Sequence, residues 1–253
     1  MRIAVLTSDT HSWLLRGFYR QWLKYGVSHD LLLEEDPFEL EVVGFTKPAD
    51  LPEQLPFYSV GSFTNYPVNR WSDALIDYLE TCQEDLITIL LEDYWLLRAM
   101  NRQAVLDAYS YMIKHPEAIR FDLAADRMFS RQAEYVEPFA SLDICEAKGD
   151  YSLSFQASIF RRKLLLELLR PSETPWQTEL SGSTRLNSTS YRVFGSYQWP
   201  INYLIVMNKG RIDATGQWMY PARTLLPEDW RDLIAHSCLV PGGKDEYALQ
   251  SSR

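Results

Sequence analysis

The sequence predicts an α/β domain, with a mostly parallel sheet flanked by helices and a less regular second half. Three observations carry this. Strand-like and helix-like segments alternate through residues 1–120, the pattern of a parallel sheet built by right-handed crossovers. Leu86-Ile87-Thr88-Ile89-Leu90-Leu91 is a nearly unbroken apolar run of strand length, as expected of a central parallel strand covered on both faces. Hydrophobic residues make up 46% and charged residues 23%, globular usage that supports a sizeable core rather than a disordered chain.

The elements follow in order. Arg2 to Thr7 reads as the opening strand, and Ser8, Asp9 and Thr10 precede a helix marked by Trp13, Leu14, Phe18, Trp22 and Leu23. Leu40 to Phe45 is a second strand; a loop with Pro48, Pro52 and Pro56 leads to an extended piece at Phe57 to Val60. Trp71, Ala74, Leu75, Tyr78, Leu79 and Cys82 lie on one helical face. The 86–91 strand stops at Glu92-Asp93, and a helix from Asn101 to Lys114 must finish before Pro116.

After Arg120 the pattern loosens. Short extended segments are expected at Ala133 to Val136, Leu142 to Glu146, Leu153 to Phe160 and Tyr203 to Met207, with a helix at Arg161 to Leu169 ended by Pro171. Ser181 to Tyr191 is rich in Ser, Thr and Asn and reads as a mobile loop. The organisation expected is one domain over residues 1–240, in halves 1–120 and 121–240, with a frayed tail at 241–253.

A net charge of −9 argues against general nucleic-acid binding, which needs surplus Lys and Arg on the contacting face. Local patches remain open at Arg161, Arg162 and Lys163 and at Lys209 with Arg211, the alternative being solvated faces. The 86–91 run is too short to cross a bilayer, and the sequence opens on a strand instead of a leader, so neither transmembrane segment nor targeting signal is expected. Cys82, Cys145 and Cys238 stand far apart, which suits a reducing, cytoplasmic setting and gives no zinc-type spacing. Oligomeric state is not legible.

In open α/β sheets ligands bind beyond the carboxyl ends of the strands. Thr7-Ser8-Asp9 and Glu92-Asp93 both fall there. Adjacent carboxylates at such an edge favour a divalent cation, Mg2+ or Mn2+, bridging to a diphosphate. The alternative is that Glu92 caps the strand and Asp93 the turn. His11 is either a phosphate or base contact or a plain turn residue; Arg98 and Arg102 either bind diphosphate or solvate a helix start. Tyr94 and Trp176 have faces suited to sugar rings, whereas Trp95 is assigned to the core.

Trp71-Ser72-Asp73-Ala74-Leu75 ahead of Leu90-Leu91-Glu92-Asp93-Tyr94-Trp95 resembles GT-A-type glycosyltransferases of the bacterial and phage polysaccharide kind. The strand end at Thr7, Ser8 and Asp9 resembles that family's donor entry. Tyr151 to Arg162 with Leu164 to Leu169 resembles its acceptor-side strand and helix, and Pro175-Trp176-Gln177-Thr178-Glu179 with Gly182-Ser183 the segment that closes its active site. The resemblance runs from Arg2 to about Trp218. It implies a GT-A-like (Rossmann-like) fold with donor and acceptor halves, and sugar transfer with inversion from a nucleotide-sugar donor such as a UDP-sugar to a hydroxyl acceptor. It implies donor contacts at Thr7, Ser8, Asp9, Asp73 and Tyr94, a Mn2+ or Mg2+ at Asp93 and Glu92, and a catalytic base at Glu179, whose other reading is a structural surface residue.

Two departures are visible: Glu92-Asp93 replaces an aspartate pair or Asp-x-Asp, and Gln177 and Thr178 stand where an acidic and an aromatic residue are expected. The acceptor implied is a polysaccharide or glycoconjugate; a hydroxymethylated base in phage DNA is the alternative and needs one of the basic patches. A non-catalytic nucleotide-sugar-binding protein and a nucleotidyltransferase releasing pyrophosphate are the competing classes.

Overall fold

A computed structural model describes residues 1–27, 36–124, 133–147, 149–208, 211–212 and 225–238. Lys209, Trp218 and the expected tail at 241–253 lie outside the described residues.

The alternating first half folds as its periodicity dictates. Strands β1 (Arg2–Leu6), β2 (Glu39–Gly44), β3 (Phe57–Ser59) and β4 (Leu86–Leu91) pair in parallel in the order β3-β2-β1-β4. The connecting helices α1 (Leu15–Tyr25) and α2 (Trp71–Thr81) cover opposite faces: Leu15, Phe18 and Trp22 enter one buried cluster, Leu75, Tyr78 and Leu79 the other. Helix α3 (Arg102–Lys114) begins at Asn101, whose side chain accepts from Ala104 N at 3.1 Å.

Beyond α3 the sheet continues as β4-β9-β6-β10-β8-β7. The strands are β6 (Ala118–Asp122), β7 (Glu134–Phe139), β8 (Leu142–Glu146), β9 (Ser158–Arg161) and β10 (Arg192–Ser196). β9 runs antiparallel between β4 and β6, so β4 has a parallel neighbour on one side only, while β6 and β10 return to the direction of β1. Only β8 and β9 run against the other strands of this sheet. Helices α4 (Arg162–Leu168) and α5 (Pro175–Asn187) pack on the α2 face; α6 (Pro227–Ala235) joins α1 and α3 opposite. Directly after the 86–91 strand, β5 (Tyr94–Leu96) pairs with β11 (Tyr203–Ile205) in a separate two-stranded ribbon.

Three expectations change. Ser181 to Tyr191 is not a loop through most of its length, because α5 runs on to Asn187. Its buried positions include Gly182 and Ser183, small residues that give no apolar signal, and a Cβ on Gly182 would stand 2.3 Å from Leu153 Cδ2. Extension over Leu153 to Phe160 is confined to Ser158 onward; the preceding backbone bonds to side chains of α5 instead of a neighbouring strand. β5, β6, β10 and α6 were not anticipated. Among the described residues no helix is long and apolar enough to cross a membrane.

Candidate active site

The parallel register brings the ends of β1 and β4 together. Glu92 N donates to Leu6 O at 3.2 Å, and Thr7 N donates to Val43 O at 2.9 Å. Ser8 Oγ lies 3.3 Å from His11 Nδ1, which is 3.9 Å from Glu92 Oε1. Asp9 reaches sideways, accepting from Thr46 N at 2.9 Å and Thr46 Oγ1 at 2.8 Å, so it ties the turn after β1 to the turn after β2.

Glu92 is buried and Asp93 partly exposed. Burial pushes both carboxyls well above the usual carboxylate range; for Glu92 the adjacent Asp93 adds to it, and for Asp93 backbone donors including Met207 N partly oppose it. Burial also lowers His11, which favours the neutral imidazole. Among the described residues neither carboxylate is ion-paired to a Lys or Arg, and no group of three His, Cys, Asp or Glu side chains is arranged to hold a metal.

Beside this edge a cavity of about 30 Å³ is lined by residues including Leu6, Thr7, Gly44, Phe45 and Trp71. Gly44 is required there, since a Cβ would meet Thr7 Cγ2 at 2.8 Å. Trp71, the first residue of α2, makes an edge contact with Phe155 at 5.0 Å between ring centroids. Phe155 N in turn donates to Glu179 Oε1 at 2.8 Å. One chain of contacts therefore runs from the cavity wall to the α5 carboxylate.

The start of α5 is fixed by a capping box. Gln177 N donates to Thr174 Oγ1 at 3.2 Å and Thr174 N donates to Gln177 Oε1 at 2.9 Å, with Pro175 opening the helix. Gln177 and the buried Thr178 thus serve the helix start, which accounts structurally for both residues that depart from the resembled pattern. Trp176 is 66% exposed on this turn.

No protein-family model and no curated protein sequence matches the chain. Among solved structures, S. aureus TarS 1–349 in complex with UDP-GlcNAc is 14% identical with a TM-score of 0.50, over 92% of this chain and 64% of that one. The same protein in complex with UDP gives 12%, 0.50, 92% and 63%. The chain has a GT-A-like fold. It spans less than two thirds of those TarS chains, and at such identities the likeness is one of fold.

Within this GT-A-like fold the expected site residues separate into groups. Thr7, Ser8, Glu92 and Asp93 converge at one edge, with His11 among them. Asp73 lies in the first turn of α2, paired with Arg70 Nη2 at 2.8 Å and accepting from Ser172 N at 2.6 Å. Burial would raise its carboxyl, but Ser172 N and Arg70 outweigh that and hold it below the usual range. Tyr94 is buried and stacks on Tyr203 at 4.4 Å, turned into the core. Trp95 is fully buried, as expected. Arg98 Nη1 donates to Leu97 O at 2.6 Å, and Arg102 is spent on Gly26 O at 2.7 Å and on Asp36.

Of the two basic patches, the one at Arg161, Arg162 and Lys163 falls at the opposite edge of the sheet. Arg161 pairs with Asp85 and donates to Ala118 O, and Arg162 Nε donates to Glu84 O at 2.9 Å, all beside the amino end of β4. Sequence reasoning missed Trp71 as a cavity wall, Phe155, and a buried cluster around Arg120 and Asp122. The signal for the last was present: two opposite charges at i and i+2 within Ala118-Ile119-Arg120-Phe121-Asp122 point to one sheet face.

Proposed function

We propose that the chain transfers a sugar, with inversion, from a nucleoside diphosphate sugar to a hydroxyl of a polysaccharide or glycoconjugate. The observation that carries this reading is the contact chain from the cavity wall through Trp71 and Phe155 to Glu179, which links an α5 carboxylate to the edge where β1 ends. In this reading the nucleoside packs against Trp71, and Thr7 and Ser8 face the diphosphate. Asp9 and Asp73 shape the walls through Thr46, Arg70 and Ser172. TarS 1–349, recorded with UDP and UDP-GlcNAc, makes those the first donors to test.

The acceptor oxygen attacks the anomeric carbon as its bond to the diphosphate breaks, and Glu179 takes the hydroxyl proton. The donor set at Glu92 and Asp93, two adjacent oxygen ligands with no Lys or Arg among the described residues to balance them, fits a hard cation that would draw its remaining ligands from phosphate and water. Bound there, Mn2+ or Mg2+ supplies charge neutralisation for the departing diphosphate. Three buried cysteines, none of them in a disulfide, accord with a cytoplasmic setting. The proposal treats residues 1–240 as one domain, with the donor side in 1–120 and the acceptor side in 121–240.

Of the two basic patches that modified DNA would need, Arg161 and Arg162 are consumed at the opposite edge, which supports a saccharide acceptor, while Lys209 of the other lies outside the described residues. A second reading, a nucleotide-sugar-binding protein without turnover, is supported by Glu92-Asp93 standing where an aspartate pair or Asp-x-Asp is expected. Thermal shift with UDP and UDP-GlcNAc, each with Mn2+ or chelator, followed by mass spectrometry for released UDP and glycosylated product, separates the two. Binding without hydrolysis or transfer over long incubation selects the binder.

A further inference from the structure

Arg120 on β6 is fully buried, a costly place for a guanidinium. It ion-pairs with Asp122, donates from Nε to Ser158 Oγ at 2.9 Å and from Nη1 to Ser152 O at 3.2 Å, and lies over the Phe160 ring at 5.7 Å. Ser158 Oγ in turn donates to Asp122 Oδ1 at 3.1 Å. Asp122 Oδ2 is buried and meets no hydrogen-bond donor among the described residues.

These contacts hold both ends of one loop. Ser152 and Ser158 flank residues 153–157, whose middle is gripped from the other side by α5. Leu153 N donates to Ser183 Oγ at 2.9 Å, Ser183 Oγ donates to Glu179 O at 2.6 Å, and Phe155 N donates to Glu179 Oε1 at 2.8 Å. Arg120 below and α5 above thus fix the loop that fixes the Glu179 carboxylate, and Arg120 and Glu179 are close enough to attract.

We infer that the buried Arg120–Asp122 pair is a positioning device, holding the 152–158 loop against α5 and thereby orienting Glu179. This rests on the transferase reading only for the use made of Glu179; the mechanical claim stands on the contacts. A pair present for stability alone is replaceable by apolar residues of similar volume at little cost. A positioning pair is not, because its directional bonds to Ser152 and Ser158 would be lost.

The test compares full-length wild type with the double variant Arg120→Met, Asp122→Leu. Expected are cooperative melting, UDP affinity with Mn2+ within about twofold of wild type because Thr7, Ser8 and Glu92 bond to neither the pair nor the loop, and amide exchange at Leu153 and Phe155 faster by about tenfold or more. With UDP-GlcNAc as substrate, kcat falls while donor KM holds, and Arg120→Lys in an otherwise wild-type chain recovers part of it. Unchanged exchange at both amides overturns the inference whatever the activity, and so does exchange that rises uniformly with a parallel loss of UDP affinity. If wild type consumes no nucleotide sugar, the transferase reading fails while the exchange result still decides the positioning claim. Should the double variant not fold, Ser158→Ala removes the shared hydroxyl, and local loosening at Leu153 and Phe155 is again required.

Discussion

In the proposed reading the donor-side carboxylates Glu92 and Asp93 and the acceptor-side carboxylates Asp122 and Glu179 serve the same edge of one sheet, and their electrostatic surroundings are opposite. On the acceptor side a buried arginine stands against Asp122 and within attraction of Glu179. On the donor side the only basic neighbour among the described residues is His11, which burial holds toward its neutral form, and both carboxyls are pushed up. The difference teaches which half is complete in itself. On the proposed reading the acceptor side carries its own counter-charge, whereas among the described residues the donor side has none and would receive one with its ligand.

The largest effect that would break this comparison is at Glu179. Glu179→Gln keeps size and the bond from Phe155 N but cannot take a proton, so transfer should fall about 100- to 10,000-fold while UDP affinity holds. Steady-state rates beside calorimetry check it. Turnover within about threefold of wild type, well short of a general base's contribution, would remove Glu179 from the chemistry.

Next in size is the donor side's need for a cation. UDP at about 100 times its Kd should stabilise the fold by about 2.7 kcal/mol, seen as a melting shift with Mn2+ and absent with chelator. Asp93→Asn should abolish that difference and leave the metal-free fold intact. Equal shifts with chelator would mean that the edge binds UDP without metal.

The unbalanced pair also predicts a pH dependence without metal. A carboxyl whose folded pKa exceeds its unfolded value binds more protons when folded, so stability falls as pH rises through the interval between them. For Asp93 that interval runs from 3.8 to about 7. The metal-free melting temperature should therefore decline from about pH 5 to 7, and the decline should weaken in Asp93→Asn. A melting temperature that rises over this range in wild type and not in the variant would reverse the assigned sign.

The two halves were unequally legible in the sequence, for the same physical reason that separates their electrostatics. β1, β2, α2, β4 and α3 bury continuous apolar faces, so their periods are visible. β6 hides because Arg120 and Asp122 occupy core positions, and the end of α5 hides because Gly182 and Ser183 are buried by close approach of Leu153. The acidic pair was readable from its place after the apolar strand, but that it has no Lys or Arg partner among the described residues was not, since that depends on where Arg98 and Arg102 are spent. Glu179 was readable only through resemblance; its bond to Phe155 N crosses 24 residues of chain.

The smallest effect concerns Asp73, which the resemblance makes a donor contact and the geometry makes a brace. Its Oδ1 pairs with Arg70 and its Oδ2 accepts from Ser172 N, joining the first turn of α2 to the turn that leads into α5. Ser72 doubles the connection, with Ser72 N donating to Glu173 O at 3.1 Å and Ser72 Oγ accepting from Glu173 N at 3.0 Å. Asp73→Ala should therefore cost about 1–2 kcal/mol, in the range of a partly exposed charge-assisted hydrogen bond, because the Ser72 link remains. UDP affinity should stay within about twofold if Asp73 makes no contact with the donor. A tenfold loss of UDP affinity at unchanged melting temperature would make Asp73 a ligand of the nucleotide, and would extend the donor edge from β1 and β4 onto the first turn of α2.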